Sequence, residues 1–203
     1  MESENNETKI SKVPKQLPEE EGGTFKELFK FALIVIVIVV PIRLFVAQPF
    51  IVSGQSMEPN FKDKEYLIVD ELSYRFSNPT RGDVIIFKFP SQPKKYLIKR
   101  IIGLPGETVS IENSSVIVTN AENPGGFVIE EPYIENKTDS ENFTLTLSDD
   151  EYFVLGDNRP VSSDSRVWGA LSEDMIVGRP FLRLYPFSLI SIFPGIDQVV
   201  YNN

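Results

Sequence analysis

Ser56-Met57-Glu58-Pro59 and Lys99-Arg100-Ile101-Ile102-Gly103-Leu104-Pro105-Gly106 occur together in a chain of 203 residues that has no histidine and no cysteine. Without His there is no Ser-His-Asp relay, and without Cys there is no thiol nucleophile. A hydrolase built on this chain must activate a hydroxyl with another base, and lysine is the main candidate. The same absence removes Cys- and His-based zinc sites. Only carboxylate sites remain, and no clustered carboxylate pattern stands out, so neither a metal nor a cofactor is expected.

Ser56 follows Gly54, which permits unusual backbone angles, and precedes Pro59, which stiffens the chain. A turn of that kind exposes the serine hydroxyl and aims the Ser56 backbone N–H at a developing oxyanion. The alternative is an ordinary Gly-Ser loop. Lys99 lies in Tyr96-Leu97-Ile98-Lys99-Arg100-Ile101-Ile102. As a strand, this puts Leu97, Lys99 and Ile101 on one face and Ile98, Arg100 and Ile102 on the other. Apolar neighbours desolvate the ammonium and lower its pKa, which a lysine general base working near neutral pH requires. The alternative is a basic pair guarding a sheet edge. A third segment, Gly156-Asp157-Asn158-Arg159-Pro160-Val161-Ser162-Ser163-Asp164-Ser165-Arg166, is dense in turn formers with opposed charges. Its spacing lets Asp157 and Asp164 pair with Arg159 and Arg166, and lets Ser162 donate a hydrogen bond to a buried lysine nitrogen. A solvated loop is the alternative here.

The elements that must position these residues begin with a polar, acidic stretch, Met1 to about residue 24, which reads as a disordered tail. An apolar run, Ala32 to Ile42, follows. Continued from Phe25 through Arg43 to Ala47, it reaches the roughly 20 residues that cross a ~30 Å hydrocarbon core. The run is apolar on every face, which argues against a buried amphipathic helix. The long polar lead and the weak cleavage sequence at Val46-Ala47-Gln48 argue against a removable leader. Lys12, Lys15, Lys26 and Lys30 precede the run and only Arg43 follows closely. The expectation is a single-span anchor over residues 25–47 in the plasma membrane, with a cytoplasmic N-terminus and an extracytoplasmic domain over 48–203.

From Gln48 onward, short apolar runs rich in β-branched residues predict strands at 66–69, 84–89, 96–102, 108–111, 116–119, 152–155 and 176–184. Gly, Pro, Asn and Asp clusters separate them, and no long helical pattern interrupts. The fold class is mainly β with antiparallel sheets, and residues 113–150 read as an irregular insertion. The net charge of −9 argues against nucleic acid as a partner.

Taken together and in order, these elements resemble a bacterial type I signal peptidase, a membrane-anchored Ser/Lys endopeptidase. The order is a span, then Ser-Met-x-Pro, then Lys-Arg-x-x-Gly-x-Pro-Gly, then Gly-Asp-Asn-Arg-x-x-Ser-x-Asp-Ser-Arg. The resemblance implies an antiparallel signal-peptidase-like catalytic domain, with Ser56 as nucleophile and Lys99 as general base. It implies that Ser162 orients the lysine, that Asp164 and Arg166 brace the site, and that Gly156, Asp157, Asn158 and Arg159 form the loop beside it. Phe50, Val52 and Ile98, with Met57, are implied to line shallow pockets for small substrate side chains. Exported preproteins, with small residues one and three positions before the cut, and the lipid bilayer are the implied partners. Asn60 stands where the family usually has Thr, Gly54 where some members have Ser, and Glu107 where Asp is commoner. A maturation peptidase dedicated to one exported protein and a non-catalytic, membrane-tethered β binding module are the alternative readings.

Overall fold

The computed structural model describes residues 23–45, 47–135, 142–195 and 200–201. It divides into two units, residues 1–40 and 41–203. Helix α1 (Gly23–Phe45), most of which belongs to the first, carries the apolar run. Leu33, Ile34, Ile36, Val37, Ile38 and Val39 are all exposed, because an all-apolar helix has no polar face to turn outward. Among the described residues, no helix is long and apolar enough to cross a membrane. The span expected over 25–47 is therefore not established by the fold. The apolar stretch is short, with Lys30 before it and Arg43 after it, and Ala47 already belongs to a strand. The expected disordered tail lies, for residues 1–22, outside the described residues.

The second unit is built on antiparallel strands. In chain order these are β1 (Ala47–Ile51), β2 (Tyr66–Asp70), β3 (Val84–Phe89), β4 (Gln92–Gly103), β5 (Thr108–Glu112), β6 (Ser115–Thr119), β7 (Phe127–Glu130), β8 (Phe143–Thr146) and β9 (Glu151–Leu155). They are followed by the four-residue helix α2 (Ser165–Trp168), β10 (Leu171–Ser172), β11 (Ile176–Tyr185), β12 (Ser191–Ile192) and β13 (Val200–Tyr201). The larger sheet runs β1-β2-β11-β3-β4-β9-β10, with β12 added to β11; the smaller runs β13-β7-β6-β5-β8. Every expected strand is present: β2 and β5 alternate between partly and fully buried residues, whereas β3 and β9 are buried on both faces for most of their length. The stretch expected to be an irregular insertion is corrected: β6, β7 and β8 fall within it and make most of the smaller sheet. Residues 136–141 of it lie outside the described residues.

Three apolar clusters hold these sheets. The smaller sheet packs Val109, Ile111, Val118 and Ile129 against Ile102, Phe153 and Leu155 of the larger one. Ile85, Phe87, Ile101, Val154 and Leu171 fill a second cluster. A third, formed by Val52, Met57, Phe61, Leu67 and Val84, sits directly under the turn that bears Ser56.

Candidate active site

β1 ends at Ile51, and the chain then leaves the sheet through Gly54, whose φ of 95° lies in the left-handed region that glycine tolerates best. The Gly54 N–H donates to Asp63 Oδ1 at 2.9 Å. Beyond Ser56 a helical turn closes as the Phe61 N–H donates to the Met57 carbonyl at 2.9 Å. Met57 and Phe61 are buried in the third cluster and pin this turn from below. Met57, expected at the substrate pockets, is buried in the third cluster beneath the turn that bears Ser56.

Lys99 stands in β4 opposite Ile85 of β3. Its Nζ lies 2.7 Å from Ser56 Oγ and 2.9 Å from the Ile98 carbonyl oxygen. The side chain is only 2% exposed. Burial is the main influence on its ammonium and lowers the pKa to about 8; the Asp164 and Asp157 carboxylates oppose this, and Lys95 adds to it.

Arg100 points to the other face of β4 and is fully buried. Its guanidinium grips Asp157 with two parallel bonds of 2.9 and 2.7 Å, donates to the Gly82 and Gly195 carbonyls, and lies 4.2 Å from the Tyr133 ring centroid. Asp157 Oδ2 also accepts from Asn60 Nδ2 at 2.8 Å, and the same amide reaches the Tyr133 carbonyl. Asn158 completes the brace: its N–H donates to the Ser56 carbonyl at 3.0 Å and its side chain to the Gln55 carbonyl at 3.1 Å. A chain of hydrogen bonds, buried at its Arg100–Asp157 core, thus runs from the strand that carries the lysine to the turn that carries the serine.

The remaining loop residues brace one another. Asp164 caps the Gly156 N–H at 3.1 Å and pairs with Arg166 at 2.8 Å, and Arg166 donates to the Arg159 carbonyl. Arg159 pairs with Glu131 and donates to the Gly156 carbonyl. The expected Asp157–Arg159 pair does not form, because each finds its partner on another element. The Ser162–Lys99 hydrogen bond does not form either. Ser162 Oγ is buried without a hydrogen-bond partner among the described residues. It rests on Gly156: a Cβ there would lie 2.2 Å from Ser162 Oγ and 2.5 Å from the Ser56 carbonyl oxygen, so only glycine fits.

A groove of about 470 Å³ leads to the serine–lysine pair, walled by Phe50 of β1, by Val52 just beyond it, and by Tyr96 and Ile98 from β4. Phe50 and Tyr96 meet edge-to-face at 5.3 Å across one end of it. β1 is the last strand of its sheet, and β4 pairs with β9 only from Arg100 onward. Two strand edges with free main-chain groups therefore border the groove. Phe50, Val52 and Ile98 lie together in the lining of this groove.

Such an arrangement, an antiparallel β unit holding a serine hydroxyl against a buried lysine at the head of an apolar groove, defines a class of protein in which lysine stands where histidine usually does. The chain belongs to the family described as signal peptidase, peptidase S26, which matches residues 25–185. It is 34% identical over 196 residues to the probable signal peptidase I-2 of Synechocystis sp. (strain ATCC 27184 / PCC 6803 / Kazusa), covering 94% of this chain and 85% of that protein. It is 36% identical over 159 residues to signal peptidase I of Leptolyngbya laminosa, covering 74% and 75%. With signal peptidase I P of Bacillus subtilis subsp. natto the identity is 34% over 180 residues, covering 83% and 93%. A crystal structure of a signal peptidase I from Enterococcus faecalis V583 is 32% identical, covers 51% of this chain and 97% of its own, and has a TM-score of 0.43.

Sequence reasoning missed Arg100, Glu131 and Tyr133 as parts of the brace. Arg100 carried a signal, since strand alternation sends it to the face opposite Lys99. Glu131 and Tyr133 carried none, because the stretch around them lacks a periodic pattern.

Proposed function

We propose that this chain is a serine endopeptidase that removes N-terminal signal peptides from exported preproteins by acyl transfer through Ser56 and Lys99. The observation that carries this reading is the 2.7 Å approach of Lys99 Nζ to Ser56 Oγ at the head of an apolar groove. Family membership and relatives named signal peptidase I support it.

Neutral Lys99 takes the hydroxyl proton as Ser56 Oγ attacks the scissile carbonyl, and the Ser56 backbone N–H receives the developing oxyanion. The lysine ammonium then protonates the leaving amine. Once neutral again, Lys99 takes a proton from the water that hydrolyses the acyl-enzyme. Asp164 and Arg166, with the loop Gly156 to Arg159, hold the pair in place, and Ser162 packs against Gly156. Substrate lies extended between the free edges of β1 and β4 and makes main-chain hydrogen bonds to them. Phe50, Val52 and Ile98 present apolar walls that accept small side chains and reject charge.

Because the reactive form of Lys99 is the neutral amine, activity follows its deprotonation. Its pKa of about 8 places the acidic limb just above neutrality. Below that point kcat/KM for preprotein cleavage is expected to rise about tenfold per pH unit, then level off above it. A pH–rate profile measured on a purified preprotein checks this; a profile flat through the limb would contradict a lysine base.

The apolar run of α1 supports a further part of the reading, a single-pass anchor in the plasma membrane with a cytoplasmic N-terminus. Lysines precede the run, and eleven positions separate Phe45 from Ser56, so an anchor of this kind keeps the serine close to the lipid surface. Alkaline extraction of membranes carrying the full chain tests it: retention in the pellet is expected, and release into the supernatant contradicts it.

A further inference from the structure

Beyond its apolar walls, the groove carries one feature that small substrate side chains do not use. Lys95 lines it four residues upstream of Lys99, where the pairing of β4 with β3 becomes irregular, with its side chain exposed. None of the ion pairs among the described residues includes Lys95. Its ammonium lies 6.0 Å from the Phe89 ring centroid, the far edge of useful cation–π contact. No Asp or Glu lines this groove, although the chain as a whole carries a net charge of −9. Among the described residues that line the groove, the other cation is Lys99, which is buried and held by Ser56 and Ile98.

Strand order fixes where Lys95 falls on a bound substrate. Four successive antiparallel pairings, β1 with β2, β2 with β11, β11 with β3 and β3 with β4, make β1 and β4 parallel to each other. Both run toward the reacting pair, β1 into the Ser56 turn and β4 into Lys99. A substrate whose small residues before the cut contact Val52 and Ile98 must continue past Tyr96 to Lys95. At about 3.3 Å per residue, the three positions from Ile98 to Lys95 correspond to about three further substrate residues.

We propose that Lys95 is a specificity-determining residue that makes the groove prefer an acidic side chain, and disfavour a basic one, about four to six positions before the cut. The inference rests on the peptidase reading of the Ser56–Lys99 site. An exposed, unpaired ammonium beside an extended chain attracts a carboxylate through partly screened solvent. The expected effect is therefore modest and depends on salt.

The test uses the full-length chain in detergent and a set of preprotein peptides sharing one cleavage sequence. Asp, Ala or Lys is placed in turn at each of the three upstream positions. In the parent, kcat/KM for an Asp peptide should exceed that of its Lys counterpart about two- to fivefold at one or more positions, and less so in high salt. Lys95→Ala should level the ratio, and Lys95→Glu should invert it. Ratios within one variant cancel any change that the substitution makes to Lys99 itself. No preference in the parent at any position, or a preference that survives in Lys95→Glu, overturns the role of Lys95 while the Ala peptides still report on the peptidase. Failure of the parent to cleave every peptide overturns the peptidase reading, and this inference with it.

Discussion

Replacing Lys99 with methionine is expected to lower kcat/KM for preprotein cleavage by at least about 10³-fold without loosening the fold. Methionine matches the lysine stem in length and removes only the nitrogen that approaches Ser56 Oγ. With no base within reach, the serine hydroxyl stays protonated, and the chain offers no histidine to replace it. Stability moves the other way. The ammonium is held in a site only 2% exposed, where burial already disfavours its charge. Removing it should leave Tm unchanged or raise it. Activity lost together with an unchanged or higher Tm separates a chemical role from a structural one. Activity within tenfold of the parent would contradict the assignment.

The second large effect concerns stability. Asp157→Ala leaves Arg100 fully buried with its charge unpaired, and Asn60 loses an acceptor as well. Removing one partner of a buried pair costs about 3–5 kcal/mol, which for a domain of this size lowers Tm on the order of 10 °C. The two backbone carbonyls that Arg100 already reaches cannot neutralise it. Thermal unfolding of the full chain checks the figure. A drop of less than about 1 kcal/mol would mean that Arg100 finds a substitute partner. The same variant should also lose activity well below its unfolding temperature, because the Asp157–Asn158 loop holds the Ser56 carbonyl.

The strands β2, β3, β4, β9 and β11 of the larger sheet were legible because their β-branched and aromatic runs are sharply bounded by turn residues, whereas β1, β10 and β12 were not among the expected strands. Nor were β7 and β8. Each is four residues long and half exposed, so its alternation is too brief to stand out from the turn-rich sequence around it. The serine and the lysine were legible through the resemblance that their motifs carry in order, since each motif read alone left an ordinary loop or a sheet-edge pair open. Their contact was not, since 43 positions of chain separate them and only strand order closes that gap. The loop charges show the same limit. Spacing suggested that Asp157 would meet Arg159, two residues away, but sheet register delivers Arg100 from 57 positions away and Glu131 takes Arg159 instead. Met57 illustrates a third case: a turn residue's direction depends on where its neighbours face, and in this turn half-buried Ser56 faces the groove while Met57 is buried.

The most direct measurement is the mass of the products when a purified preprotein is incubated with the full-length chain in detergent, beside Ser56→Ala. The expected result is a single cut after a small residue at the signal-peptide boundary with the parent chain, and intact preprotein with Ser56→Ala. Equal cleavage by both proteins would place the activity elsewhere and contradict the assignment of Ser56 as nucleophile.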